Sequence, residues 1–169
     1  MAERKCLVVY YSRTGTTRRV AEALAQKLGA DIEEIVDRKK RAGVLGFIVS
    51  GKDAHLRRLT QIEEPRRDPA AYDLVVIGTP VWAARMTCAV RTYISQFKDR
   101  LPAVAFFLTT GRMGIESTFK DMTEACGKAP VARLGLRQKQ VRRGTWQEPV
   151  GAFTDQLRRG RTTGGTWLA

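Results

Sequence analysis

The sequence predicts an α/β fold, a parallel sheet with helices on both faces. Three observations carry this prediction. Short apolar, β-branched runs recur along the chain. They alternate with stretches whose apolar residues fall three and four positions apart. Glycine or proline stands at most of the junctions. Alternation of this kind means parallel strands joined by helical crossovers that cover both faces of the sheet. A chain of 169 residues suits one such domain and buries roughly 70% of its unfolded surface.

The elements follow in order. Residues 6–11, Cys-Leu-Val-Val-Tyr-Tyr, are β-branched and aromatic and read as a buried first strand. Val20, Leu24 and Leu28 place one apolar face on a helix over residues 17–28, with Gly29 as its stop. Residues 31–36 form a weaker second strand, and Leu74-Val-Val-Ile77, ending at Gly78, forms the third. Val90, Tyr93, Ile94, Phe97 and Leu101 mark a helix that Pro102 terminates. Residues 103–108 give the fourth strand. Ile115, Phe119, Met122 and Cys126 recur at helical spacing, residues 131–136 give a fifth strand, and Val150, Phe153 and Leu157 define a last helix after Pro149. Residues 44–59 suggest a further helix with Leu45, Ile48, Leu56 and Leu59 turned inward, although Gly46 and Gly51 weaken its propensity. We expect a single domain over residues 1–161 and a poorly ordered end over 162–169, where Gly164-Gly165 lies.

Charge is distributed unevenly. The chain carries a net +13, and most of the excess falls in two segments. Residues 38–67 hold nine Lys/Arg against three Asp/Glu, and residues 133–161 hold eight against two. This pattern fits either a solvated surface or an anionic partner, whether an acidic protein, a membrane surface or nucleic acid. The three cysteines, Cys6, Cys88 and Cys126, are far apart and form no CxxC. That argues against a disulfide scaffold or structural zinc and fits a reducing compartment. The longest apolar runs are short of a membrane span or a signal-peptide core, so the expected location is cytoplasmic.

Ligands of an open parallel sheet bind beyond the carboxyl ends of its strands, so three loops matter. After the first strand come Ser12-Arg13-Thr14-Gly15-Thr16-Thr17 and then a helix. A helix N-terminus has unpaired N–H groups and a positive dipole, hydroxyls add neutral donors, and Gly15 lets backbone approach closely, so an anion is favoured there. After the third strand come Pro80-Val81-Trp82-Ala83-Ala84-Arg85, where the tryptophan offers a flat apolar face to a planar ring. After the fourth come Thr109-Thr110-Gly111-Arg112-Met113-Gly114, suited to a backbone that hydrogen-bonds a ligand edge.

Together these loops resemble those of the flavodoxin family over roughly residues 5–160. YYSRTGTT followed by VAEAL is the most specific part, GTPVW is moderately specific, and TTGRMG adds a weaker match. The resemblance implies a flavodoxin-like doubly wound five-stranded parallel sheet of order 2-1-3-4-5 and a non-covalently bound FMN. It assigns Ser12, Arg13, Thr14, Gly15, Thr16 and Thr17 to the phosphate. Pro80, Val81, Trp82 and Ala83 would border the ring, and Thr109, Thr110 and Gly111 its pyrimidine side. No catalytic side chain and no metal are implied. Three departures stand out. The chain is basic where dedicated carriers are acidic. The third loop offers only Arg112 and Met113 where a second aromatic is common. Ala83-Ala84 replaces a glycine near the flavin, and non-glycine residues resist positive φ.

Other readings of the motifs are weaker. Residues 46–53 approach a GxxxxGK[ST] phosphate loop but end in Asp53, which lacks the hydroxyl and repels phosphate. Cys6 and Arg13 are one residue too far apart for a cysteine-phosphatase loop. The acidic residues that a receiver domain needs after its first strand are missing, and His55, the one histidine, reads as a surface residue. The function expected is redox: one or two electrons moved through FMN between a donor, NAD(P)H or a reductase, and an acceptor. Two branches remain open, an electron carrier docking on an acidic protein partner and an NAD(P)H:quinone type of oxidoreductase. The alternative is a flavin-free basic module for nucleic acid or an anionic surface, supported by Arg38-Lys-Lys-Arg41, Arg57-Arg58, Arg66-Arg67 and Arg142-Arg143.

Overall fold

The computed structural model describes residues 5–160; the end expected to be poorly ordered lies outside them. Five strands form one parallel sheet: β1 (Cys6–Tyr10), β2 (Asp31–Glu34), β3 (Leu74–Pro80), β4 (Ala103–Thr110) and β5 (Arg133–Arg137). Their order is β2-β1-β3-β4-β5, the doubly wound arrangement that reverses direction between β1 and β3. Four α-helices connect them, α1 (Thr16–Leu28), α2 (Gly43–His55), α3 (Cys88–Phe97) and α4 (Ile115–Cys126), and two follow β5, α5 (Gln138–Arg143) and α6 (Gln147–Arg159).

The central strands are apolar on both sides, as a sheet covered on both faces requires. Val8, Tyr10, Val76, Ala105 and Phe107 pack under Val20 and Leu24 of α1 and Val150, Phe153 and Leu157 of α6. Leu7, Val9, Ile77, Phe106 and Leu108 pack on the other face under Val90 and Tyr93 of α3 and Phe119 and Met122 of α4. Two strands outrun their apolar runs. β3 continues through Thr79 and Pro80 and β4 through Thr109 and Thr110, because the ladder pairs Pro80 with Thr109, Thr109 with Leu136 and Thr110 with Arg137. Pro80, Thr109 and Thr110 are therefore strand-end residues held in register, not free loop residues.

Helix α2 corrects the sequence reading. A helix forms there, but with its faces reversed. Leu45, Ile48 and Leu56, together with Leu59 just beyond, are exposed, while Ser50, Asp53 and Ala54 are buried. The cause is Arg41, whose side chain is 3% exposed. Its Nε donates to Asp37 Oδ2 at 2.7 Å and its Nη1 to Asp53 Oδ2 at 3.1 Å. Buried charges demand partners, and the partner on α2 is Asp53, so the polar edge of the helix faces inward. Gly46 permits this packing: a Cβ there would lie 2.5 Å from the Arg41 carbonyl carbon. Arg41 is thus withdrawn from the basic surface patch that the sequence suggested. Short helix α5 has too few apolar residues for periodicity to reveal it.

Candidate functional site

The carboxyl ends of β1, β3 and β4 open into a cleft of about 620 Å3. At one end stands the N-terminus of α1. Gly15 caps it at φ 93°, a left-handed conformation open to glycine. Its N–H donates to Ser12 Oγ at 3.1 Å, so Ser12 folds the loop from behind and does not line the cleft. Arg13, Thr14, Thr16 and Thr17 do line it. The first turn of α1 contains no acidic residue, so nothing opposes the positive end of the dipole.

Several of these side chains are already engaged. Thr17 Oγ1 and Thr109 Oγ1 share a hydrogen bond of 2.8 Å in the buried floor. It ties the first loop to the end of β4. Thr110 Oγ1 donates to the Met113 carbonyl at 2.7 Å and shapes the turn through Gly111 and Arg112. Arg13 Nη2 donates to the Gly43 carbonyl at 3.2 Å, and its guanidinium lies 5.5 Å from the centre of the Phe47 ring. Arg13 therefore links the α1 loop to α2.

At the other end of the cleft are Pro80, Val81, Trp82 and Ala83, with Thr109, Thr110 and Gly111 on the adjoining wall. Trp82 is both a wall and a core residue. Its ring meets Tyr11 edge-on, 5.5 Å between centres, and the Arg41 guanidinium sits 5.7 Å from it. Burial, with help from Asp37, pushes the Tyr11 hydroxyl pKa up, so this neighbour of the cleft stays a neutral phenol.

The turn after Trp82 departs from expectation. Ala83 and Ala84 adopt φ of 47° and 59°. They are the central pair of a tight turn in which Trp82 N donates to the Arg85 carbonyl at 2.9 Å and Arg85 N to the Trp82 carbonyl at 3.0 Å. Two consecutive left-handed residues define a type I′ turn, and alanine carries steric strain in both positions. Surrounding contacts hold it. Ser117 Oγ donates to the Ala84 carbonyl at 3.0 Å, and Gly114 at φ 92° leaves only 2.8 Å between a would-be Cβ and the Ala84 Cα. Beneath lies Asp121, with a fully buried side chain. Its Oδ2 accepts from Arg91 Nη2 at 2.5 Å and from Met86 N at 3.3 Å, and Arg85 Nη1 and Arg57 Nε approach its Oδ1 at 3.5 and 3.6 Å. This carboxylate anchors the base of the turn.

The cleft thus gathers every site residue named from the sequence except Ser12 and Gly15. It also includes Phe47 and Gln138, which sequence reasoning missed. Phe47 supplies an aromatic from α2 in place of the one absent from the third loop. Phe47 lies off the face of Leu45, Ile48, Leu56 and Leu59 that the spacing predicts to pack inward, so periodicity gave no signal for it. No acidic residue lines the cleft, and no group of acidic, histidine or cysteine side chains among the described residues could hold a metal ion. Cysteine chemistry is disfavoured as well. Burial pushes the Cys88 thiol up, and that of Cys126 up to about 12. His55 is exposed.

No protein-family model and no curated protein matches the chain. Solved structures do. A flavoprotein from Lactobacillus acidophilus NCFM, crystallised in complex with FMN, superposes with a TM-score of 0.69 at 20% identity, covering 86% of this chain and 99% of that one. A protein from Bacteroides eggerthii DSM 20697 gives 0.66 at 23%, covering 88% and 99%. One from Bacteroides uniformis ATCC 8492 gives 0.66 at 22%, covering 87% and 99%. Strand order and these superpositions together establish that the chain has the flavodoxin-like fold.

Proposed function

We propose that the cleft binds FMN non-covalently and that the protein is a flavin-dependent redox protein. The observation that carries this reading is the polarity of one preformed cleft. One end offers helix amides, Thr14 and Thr16 to a phosphate. The other offers Val81, Trp82 and Phe47 to a planar apolar ring, with no carboxylate between. The Lactobacillus protein of the same fold holds FMN, which supports the reading. Bound flavin supplies reversible transfer of one or two electrons.

Each part of the chain has a task in this scheme. Thr14, Thr16 and the first-turn amides of α1 grip the phosphate, and Gly15 allows the backbone to come close. Arg13 adds charge there while staying tied to Gly43. Trp82, steadied by Tyr11 and Arg41, keeps water from one wall, and the Ala83–Ala84 turn presents backbone groups to the ring edge. The mouth carries exposed Met113 and is open enough for a small donor to approach. We therefore favour NAD(P)H-dependent oxidoreduction over a pure carrier.

Purification should yield a yellow protein with a flavin absorption band, or a colourless one that takes up added FMN. Thr14→Ala and Thr16→Ala should each weaken uptake about tenfold or more, as loss of a hydrogen bond to a charged group does, with an unchanged unfolding midpoint. Anaerobic bleaching by NADH or NADPH would select the oxidoreductase; stable colour would select the carrier. A colourless chain that refuses saturating FMN would sink the redox assignment and favour a flavin-free basic module.

A further inference from the structure

We propose that the outer face of α2 docks this protein onto an anionic membrane surface. The face is apolar and exposed, with Phe47 at its edge meeting the Arg13 guanidinium. Val44 and Leu45 are 78% and 79% exposed, Phe47 64% and Ile48 59%, all within two turns of one helix. Globular helices turn such residues inward. Here the inward edge is occupied by Ser50 and Asp53 on the Arg41 network, so the apolar side is left to solvent. Contiguous exposed apolar residues of this kind mark interaction surfaces.

The surrounding charge selects the occupant. Arg38, Lys39, Lys40, Lys52, Arg57 and Arg58 are all exposed. The one acid between residues 38 and 58 is Asp53, which is buried and bridged by Lys39, Arg41 and Arg58. Arg57 is also paired with Glu124 of α4, but the rim remains net positive, and a second copy would set like charges against like. Protein hot spots favour Trp, Tyr and Arg and under-represent Leu and Val. A mainly aliphatic tip ringed by Lys and Arg instead matches the acyl–headgroup boundary of an anionic bilayer. No described helix is long and apolar enough to cross a membrane, so the contact is peripheral. Phe47 belongs to both the face and the cleft wall, which places the cleft mouth beside the bilayer. Docking itself does not depend on the flavin.

Co-sedimentation with vesicles tests the idea. The full chain should pellet with phosphatidylglycerol-containing vesicles, bind phosphatidylcholine vesicles far less, and be partly released by high salt. Leu45→Ser with Ile48→Ser should cut partitioning about tenfold or more while the unfolding midpoint and FMN uptake stay unchanged. Lys40→Glu with Lys52→Glu should abolish the preference for anionic lipid. In a Leu45→Trp variant, lipids brominated in the acyl chain should quench the new fluorescence. Three results would overturn the proposal: no binding to anionic vesicles; undiminished binding by the double serine variant, which would signify adsorption through charge alone; or a dimer in sedimentation that the same variant dissolves. Loss of FMN uptake with vesicle binding intact would fault the cofactor reading and leave the docking surface standing.

Discussion

Helices α1 and α2 are the same length, thirteen residues each, and both border the cleft, yet they are built inside out from one another. α1 buries Val20, Ala21, Leu24 and Ala25. α2 buries Ser50, Asp53 and Ala54 and shows its valines, leucine and isoleucine to solvent. The first is fastened by area removed from water. The second is fastened through a few charge-assisted bonds around one guanidinium. Apolar attachment is insensitive to pH and salt; ionic attachment is sensitive to both. The half of the cleft built on α1 is therefore the permanent half, and the wall that carries Phe47 is conditional.

Truncation gives the sharpest contrast. Leu24→Ala should cost about 2–5 kcal/mol of global stability, whereas Leu45→Ala, at an exposed site, should move it by less than about 0.5 kcal/mol. Chemical denaturation of the two variants checks this, and equal losses would break the comparison.

The next effect is local. Lys39 above all, then Arg41, hold the Asp53 carboxyl below its ordinary pKa against the opposing pull of burial. A lowered carboxylate pKa contributes stability that is whole above the unfolded value, about 4, and is lost as pH falls through the folded value. Hydrogen exchange or proteolysis over residues 43–55 should accelerate on acidification before α1 responds. Asp53→Asn should accelerate it already at neutral pH and flatten the acid response. A segment indifferent to both changes would show that α2 is held by something other than the Arg41 network.

The smallest effect concerns the strained turn facing both helices across the cleft. Ala83→Gly should raise stability by about 1 kcal/mol, because glycine adopts positive φ without a Cβ clash. A destabilised variant would mean that the Ala83 methyl makes packing contacts worth more than the strain.

The sequence made the loop proposed to hold phosphate legible for a simple reason. Ser12 to Thr17 are contiguous, so their chemistry is local and needs no knowledge of distant chain. Strand and helix identities were legible too, since β1, β3 and β4 are apolar runs and α1, α3 and α4 carry clean helical periodicity. Phe47 and Gln138 were not, because each reaches the cleft only after a crossover of the chain. The lengths of β3 and β4 escaped notice because Pro80, Thr109 and Thr110 are not apolar; pairing with the neighbouring strand extends them.

Composition and spacing alone determined a parallel α/β sheet covered on both faces, the place of the cleft at the strand ends and the basic segment at 38–67, while the doubly wound order came with the resemblance of the loops. Only the tertiary structure decided which way α2 faces, that Arg41 is an interior cation, and that Ala83 and Ala84 take the left-handed turn. The physical reason is that periodicity identifies an apolar face without saying what it meets. A buried charge such as Arg41 has to be partnered wherever the fold leaves it, and meeting that demand through Asp53 turned the apolar side of α2 outward.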